Sequence, residues 1–106
     1  FHPGGDLLVS GCSDDTIRFW SLATGHETQK IDTDVWINSF DLDTDGKVVV
    51  CCGNRAFFEF WSVETGKRIQ RINNFDRDVY IVKYTPDKKN VISCGYDINL
   101  WDAEFE

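Results

Sequence analysis

Three segments of this 106-residue chain repeat one another in phase. TIRFWSLATG (16–25), FFEFWSVETG (57–66) and INLWDAE (98–104) align on Trp20, Trp61 and Trp101, which stand 41 and 40 residues apart. The match extends upstream of each tryptophan, where PGGDLLVSGCSD from Pro3, TDGKVVVCCGNR from Thr44 and PDKKNVISCGYD from Pro86 pair a turn with an apolar run. A unit of this length is one supersecondary element that cannot bury its own apolar face; it becomes stable only when neighbouring copies stack on it. The chain is therefore constrained to an array of similar units.

The side chains within each unit specify strands. Val48-Val49-Val50 and Val91-Ile92 are β-branched, and Phe57 to Trp61 is largely aromatic; such residues pack well on a pleated surface. Between the runs, Gly4-Gly5, Asp45-Gly46 and Pro86-Asp87 supply turn chemistry, and Thr24-Gly25 and Thr65-Gly66 close the following hairpins. No stretch has a convincing helical period. Runs that are apolar on both faces predict strands covered on both sides, as in stacked sheets.

A period of 40 or 41 residues, four strands per unit, and a tryptophan followed by Ser or Asp resemble the WD-repeat family. The resemblance covers essentially the whole chain and implies an all-β fold of β-propeller blades. Each blade is a four-stranded antiparallel sheet, with strands a to d running outward from a central channel. About two and a half blades are expected: residues 1–33 as strands b, c and d of one blade, 34–73 as a complete blade, and 74–106 as strands a, b and c of a third. Because family propellers close with roughly seven blades, the resemblance also implies a partial ring, whose expected completion is the remainder of a longer propeller chain, the alternatives being copies of itself or another polypeptide.

WD repeats commonly tie each blade with a hydrogen-bonded set of Trp, Ser or Thr, Asp and His. By position, the first repeat supplies Ser10, Asp14 and Trp20, and the third supplies Ser93, Asp97 and Trp101. The middle repeat keeps only Trp61, with Cys51 and Arg55 at the other two positions. Asp32-Thr33 and Asn74-Phe75 stand where Gly-His is expected, so both histidines are missing; Gly25-His26 falls in a c–d turn instead. The third repeat is two residues shorter between Asp97 and Trp101 than the first between Asp14 and Trp20, which predicts a tighter hairpin or an altered register.

A formal charge of −7, from 18 acidic and 11 basic side chains, disfavours a nucleic-acid partner, whose affinity rests on cations neutralising phosphates. No apolar run approaches the ~18 residues of a membrane span, and an intracellular location, cytoplasmic or nuclear, is expected. Cys12, Cys51, Cys52 and Cys94 lack the C-x-x-C spacing of a zinc or redox site. Adjacent Cys51 and Cys52 on a strand point to opposite faces, so small buried thiols are expected. Asp41-Leu42-Asp43-Thr44-Asp45-Gly46 matches the opening of a calcium loop, but Cys52 occupies the twelfth position, where a bidentate Glu is required. An acidic solvated turn is the reading adopted. With two histidines, no phosphate loop and no nucleophile elbow, neither an enzyme nor a resident metal or cofactor is expected.

The remaining function class is protein binding. The resemblance implies that the b–c and d–a loops share one docking face. That face would carry Trp36, Asn38, Asp78 and Tyr80 at the entry to strand a, and Ser13, Asn54, Arg55 and Tyr96 at the b–c turns. Large amphipathic side chains such as Trp36, Tyr80 and Tyr96 dominate interface energies. The competing expectation is a purely architectural subunit of a large assembly, held by its rim, where Lys67, Arg68 and Arg71 would present a basic outer strand.

Overall fold

A computed structural model describes residues 4–11, 14–33, 36–53, 55–73, 78–95 and 97–102. Among them are ten strands: β1 (Leu7–Gly11), β2 (Thr16–Ser21), β3 (Glu27–Asp32), β4 (Ser39–Leu42), β5 (Val48–Cys52), β6 (Phe58–Ser62), β7 (Arg68–Ile72), β8 (Ile81–Tyr84), β9 (Asn90–Cys94) and β10 (Ile98–Asp102). They form three antiparallel meanders, β1-β2-β3, β4-β5-β6-β7 and β8-β9-β10. This is the all-β arrangement of propeller blades that the repeat predicts.

The hairpins follow from the turn residues. In the WSLATG and WSVETG turns, Gly25 and Gly66 take φ of 75° and 71°, a left-handed conformation open to glycine at little steric cost. Their N–H groups donate to the carbonyls of Ser21 and Ser62 at 2.8 and 2.9 Å. The same two serines accept Thr24 and Thr65 N–H through Oγ at 3.2 Å. In the acidic turn between β4 and β5, Asp43 Oδ1 accepts the N–H groups of Lys47 and Val48 at 2.8 and 3.2 Å. Asp41 Oδ1 accepts the N–H of Leu42, and its Oδ2 that of Tyr84. These carboxylates are thus occupied in closing turns and joining strands, and no group of three or more metal-ligating side chains converges among the described residues.

Two apolar layers lie between the three sheets. Val9, Ile17, Phe19 and Ile31 of the first sheet meet Leu42, Val49, Cys51 and Trp61 of the second, with Ile37 at one end. On its other side the second sheet offers Val50, Cys52, Phe58 and Phe60 to Val82, Tyr84 and Val91 of the third, against which Trp101 also packs. The two-residue period of a strand sends alternate residues of Val48–Cys52 into opposite layers, which explains why an unbroken apolar run occurs there. Phe19, Phe58 and Phe60 are at most 1% exposed, each contributing ~2–3 kcal/mol through burial. Where β4 meets β8, Ser39 Oγ donates to the Val82 carbonyl and accepts its N–H, both at 3.2 Å. That bond pair ties the second sheet to the third.

Candidate functional site

The loops joining b to c and d to a are brought together by close backbone approach. Val79 N–H donates to the Arg55 carbonyl at 2.8 Å, forming an isolated bridge between a b–c turn and the entry to β8. Tyr80 N–H donates to Cys94 O and Asn38 N–H to Cys52 O, each at 2.8 Å. The Asn38 amide then reaches the Tyr80 carbonyl at 3.2 Å. In the first sheet both the N–H and the hydroxyl of Thr33 donate to Asp15 O at 2.8 Å. Two glycines permit this crowding. A Cβ at Gly95 would stand 2.3 Å from the Asp78 carbonyl oxygen, and one at Gly11 would stand 2.8 Å from Ile37 Cγ2.

Buried Ile37 and Val79 anchor the segments whose flanking side chains face outward. Trp36 is 66% exposed and Tyr80 41%; Asn38, Arg55 and Asp78 are also exposed. Ser13, Asn54 and Tyr96, the other positions expected on this face, lie outside the described residues. A separate depression of about 430 Å³ is lined by Val9, Asn38, Phe40, Asp41, Lys83 and Lys88 among others. Its two ammonium groups are already directed at the carbonyls of Phe40 and Leu42.

The tryptophans of the repeat have a second role inside the sheets. Trp20 Nε1 donates to Ser10 Oγ at 3.0 Å and Trp101 Nε1 to Ser93 Oγ at 2.9 Å. In the first repeat Asp14 accepts Thr16 Oγ1 and, at 2.7 Å, Arg18. The Thr16 hydroxyl, then Arg18, hold the Asp14 carboxyl below its ordinary range. Asp97 is exposed, and its carbonyl accepts Gly95 N–H at 3.0 Å.

The middle repeat solves the indole problem differently. With Cys51 in place of the serine, Trp61 Nε1 lies 3.4 Å from Glu59 Oε1. Glu59 is fully buried, and Arg68 and Arg71 reach its Oε2 at 3.1 and 2.8 Å. Sequence reasoning missed this acid. Its signal was available in the repeat: the first sheet has Arg18 at the equivalent position, bonded at 2.6 Å to Glu27, so the pair Arg18–Glu27 is reversed in sign as Glu59–Arg68. On the outer strand expected to be a basic rim, both arginines keep part of their surface in water while pairing with this acid. Arg68 and Arg71 are committed to Glu59, and the Arg71 guanidinium lies 4.2 Å from the centre of the Phe57 ring; only Lys67 of the three expected rim cations makes no ion pair among the described residues.

Burial pushes the Cys51 thiol well up, reinforced by the Glu59 carboxylate, and pushes Cys52 up to about 12. Cys51, Cys52 and Cys94 are free thiols, and Cys12 lies outside the described residues.

Stacked antiparallel meanders with one in-phase tryptophan per repeat define a propeller of repeating blades. The family model described as WD domain, G-beta repeat matches residues 1–21. Along 98% of its length the chain is 31% identical to the WD repeat-containing protein 89 homolog of Dictyostelium discoideum, covering 29% of that protein. It is 26% identical, over 98% of its length, to the cilia- and flagella-associated protein 52 of Chlamydomonas reinhardtii, covering 18% of it. The β-propeller domain of Cps50 (Swd1) from Myceliophteria thermophila superimposes with a TM-score of 0.83 over 97% of the chain and 34% of that domain's chain, at 23% identity. In sequence and in fold the chain is similar to WD-repeat β-propeller proteins, and it spans less than a third of the length of the curated relatives it matches.

Proposed function

We propose that this chain is part of a non-catalytic protein-interaction scaffold that binds peptides or protein partners through its b–c and d–a loop face. The observation that carries the reading is Trp36, a tryptophan outside the phase of the repeat. Three tryptophans stand in register within the sheets, whereas Trp36 is 66% exposed beside an anchored Ile37. A large amphipathic ring on a segment tied by hydrogen bonds offers contact area at low ordering cost. Tyr80, Asn38, Arg55 and Asp78 stand on the same set of joined loops, and Ser13, Asn54 and Tyr96 are assigned to it by their place in the repeat. The partners are proteins rather than nucleic acids, a choice supported by the net charge of −7.

The test is substitution on the full-length protein followed by affinity capture and titration of the captured partners. Trp36→Ala should weaken a partner that uses this face by ~2 kcal/mol or more, the range of an interface hot spot. Thermal unfolding of the variant should match that of the parent, because the ring is largely outside the core. If a correctly folded Trp36→Ala, Tyr80→Ala double variant keeps every partner at parental affinity, the assignment of this face fails.

A further inference from the structure

The charge around the exposed rings indicates what kind of segment they receive. Asp15, Asp78 and Asp97 stand on or beside the joined loops and make no ion pair among the described residues; all three are exposed. Asp32, also exposed, has Lys30 only at 4.0 Å. Among the described residues Arg55 is the cation in these turns, and Arg18 nearby is already held by Asp14 and Glu27 at 2.7 and 2.6 Å. Among the described residues the loop face therefore combines aromatic rings with more carboxylates than cations, Asp15, Asp78 and Asp97 having no ion pair there. The Asn38 amide bonded to the Tyr80 carbonyl holds the segment bearing Trp36 against the segment bearing Tyr80. The Gly95 approach to Asp78 likewise joins the third sheet's turn to them.

Resting on the function proposed above, we infer that the occupant of this face is a lysine- or arginine-bearing segment of a partner protein. A cation is attracted to the face of an aromatic ring, tryptophan most strongly, and the surrounding carboxylates raise its local concentration and encounter rate. The molecule makes the same kind of contact internally, with Arg71 over Phe57 at 4.2 Å and Lys88 near the Tyr84 ring at 5.6 Å. An acidic or phosphorylated segment would meet like charge on these loops. A neutral apolar segment would use the rings while leaving the carboxylates without partners.

The experiment selects from a phage-displayed random peptide library on the full-length protein, then measures synthetic copies of the winning peptides by fluorescence anisotropy. Winners enriched in Lys and Arg are expected. Their affinity should fall about tenfold or more in Trp36→Ala, as for a hot spot. It should fall roughly three- to tenfold in the Asp78→Asn, Asp97→Asn pair, with a shallower salt dependence than the parent shows. Neutral or acidic winners lost in Trp36→Ala would overturn the cationic assignment while leaving the face as a binding site. Winners, whatever their charge, that bind the correctly folded Trp36→Ala variant as well as the parent would overturn both readings. A selection that enriches no sequence would overturn the cationic assignment.

Discussion

At Glu59 a full negative charge sits at zero exposure between two buried phenylalanines. Removing a carboxylate from water costs several kcal/mol, repaid only when charged partners and hydrogen bonds satisfy its oxygens. Here Arg68, Arg71 and the Trp61 indole do so, while both arginines keep part of their surface in water. Glu59→Ala should destabilise the protein by ~3 kcal/mol in urea unfolding, because it empties a buried site and orphans an indole N–H. Glu59→Gln keeps an oxygen for the indole and frees the arginines to solvent, so its cost should be about 1 kcal/mol. Adding Cys51→Ser to Glu59→Ala should recover part of the loss, since position 51 corresponds to Ser10 and Ser93, which accept the other two indoles; no recovery would show that Trp61 does not need the acceptor. The buried thiols give a separate, pH-dependent prediction. Cys52 is raised from an ordinary 9.0 to about 12, chiefly by burial, so the unfolded chain releases this proton before the folded one. Stability should thus be intact below pH 9 and decline as pH rises from about 9 towards 12. Cys52→Ala should flatten that decline in unfolding midpoints measured at pH 7 and pH 10.

At the level of strands and turns, the closest approaches occur where residues lack a side chain. Gly95 has no room for a Cβ because the Asp78 carbonyl oxygen would lie 2.3 Å from it, and neither partner there is a flexible side-chain end. Gly95→Ala should therefore shift the segment carrying Asp78 and Tyr80, costing ~1–3 kcal/mol as an overpacked site. Gly66→Ala, at φ 71° in open space, should cost only ~1 kcal/mol of left-handed strain and leave the loop face unchanged. Partner affinity reported for the two variants separates these causes: Gly95→Ala should lower it, Gly66→Ala should not. The turns and the alternating burial of β5 were legible in the sequence because they depend on local chemistry and a period of two. Trp20, Trp61 and Trp101 were legible because the repeat sets them in phase. Glu59 was not, since a lone acid in an aromatic run reads as a solvent-facing residue until its partners on β7 are known. For the same reason Arg68 and Arg71 read as rim cations: their commitment depends on pairing across β6 and β7, with a register shift between Phe60 and Trp61 that spacing alone does not reveal. The contacts of Gly95 and Asn38 are likewise tertiary, linking loops that are distant in the chain.

Across the whole molecule, the repeat places equivalent residues in unequal surroundings. On the second sheet Val50 pairs with Phe60, and with Cys52 and Phe58 they form an apolar face covered by the third sheet, none more than 1% exposed. On the third sheet Ile92 pairs with Leu100 and Cys94 with Ile98, the same positions one repeat later. There Ile98 is 78% exposed, Leu100 65% and, on the neighbouring β8, Ile81 49%. Sheet alternation puts these side chains on one face, so the 106-residue chain presents a contiguous apolar surface of the kind that elsewhere in the same molecule is buried by a sheet. Such a surface drives association when nothing covers it. The 106-residue chain, prepared alone, should accordingly show a mass that rises with concentration in sedimentation equilibrium. Ile98→Lys with Leu100→Lys should lower that mass towards the monomer while preserving the β-sheet circular dichroism, because neither side chain contributes to the two buried layers. A parent chain that is monomeric at every concentration, or a double variant that associates as strongly as the parent, would show that this face is not the source of attraction.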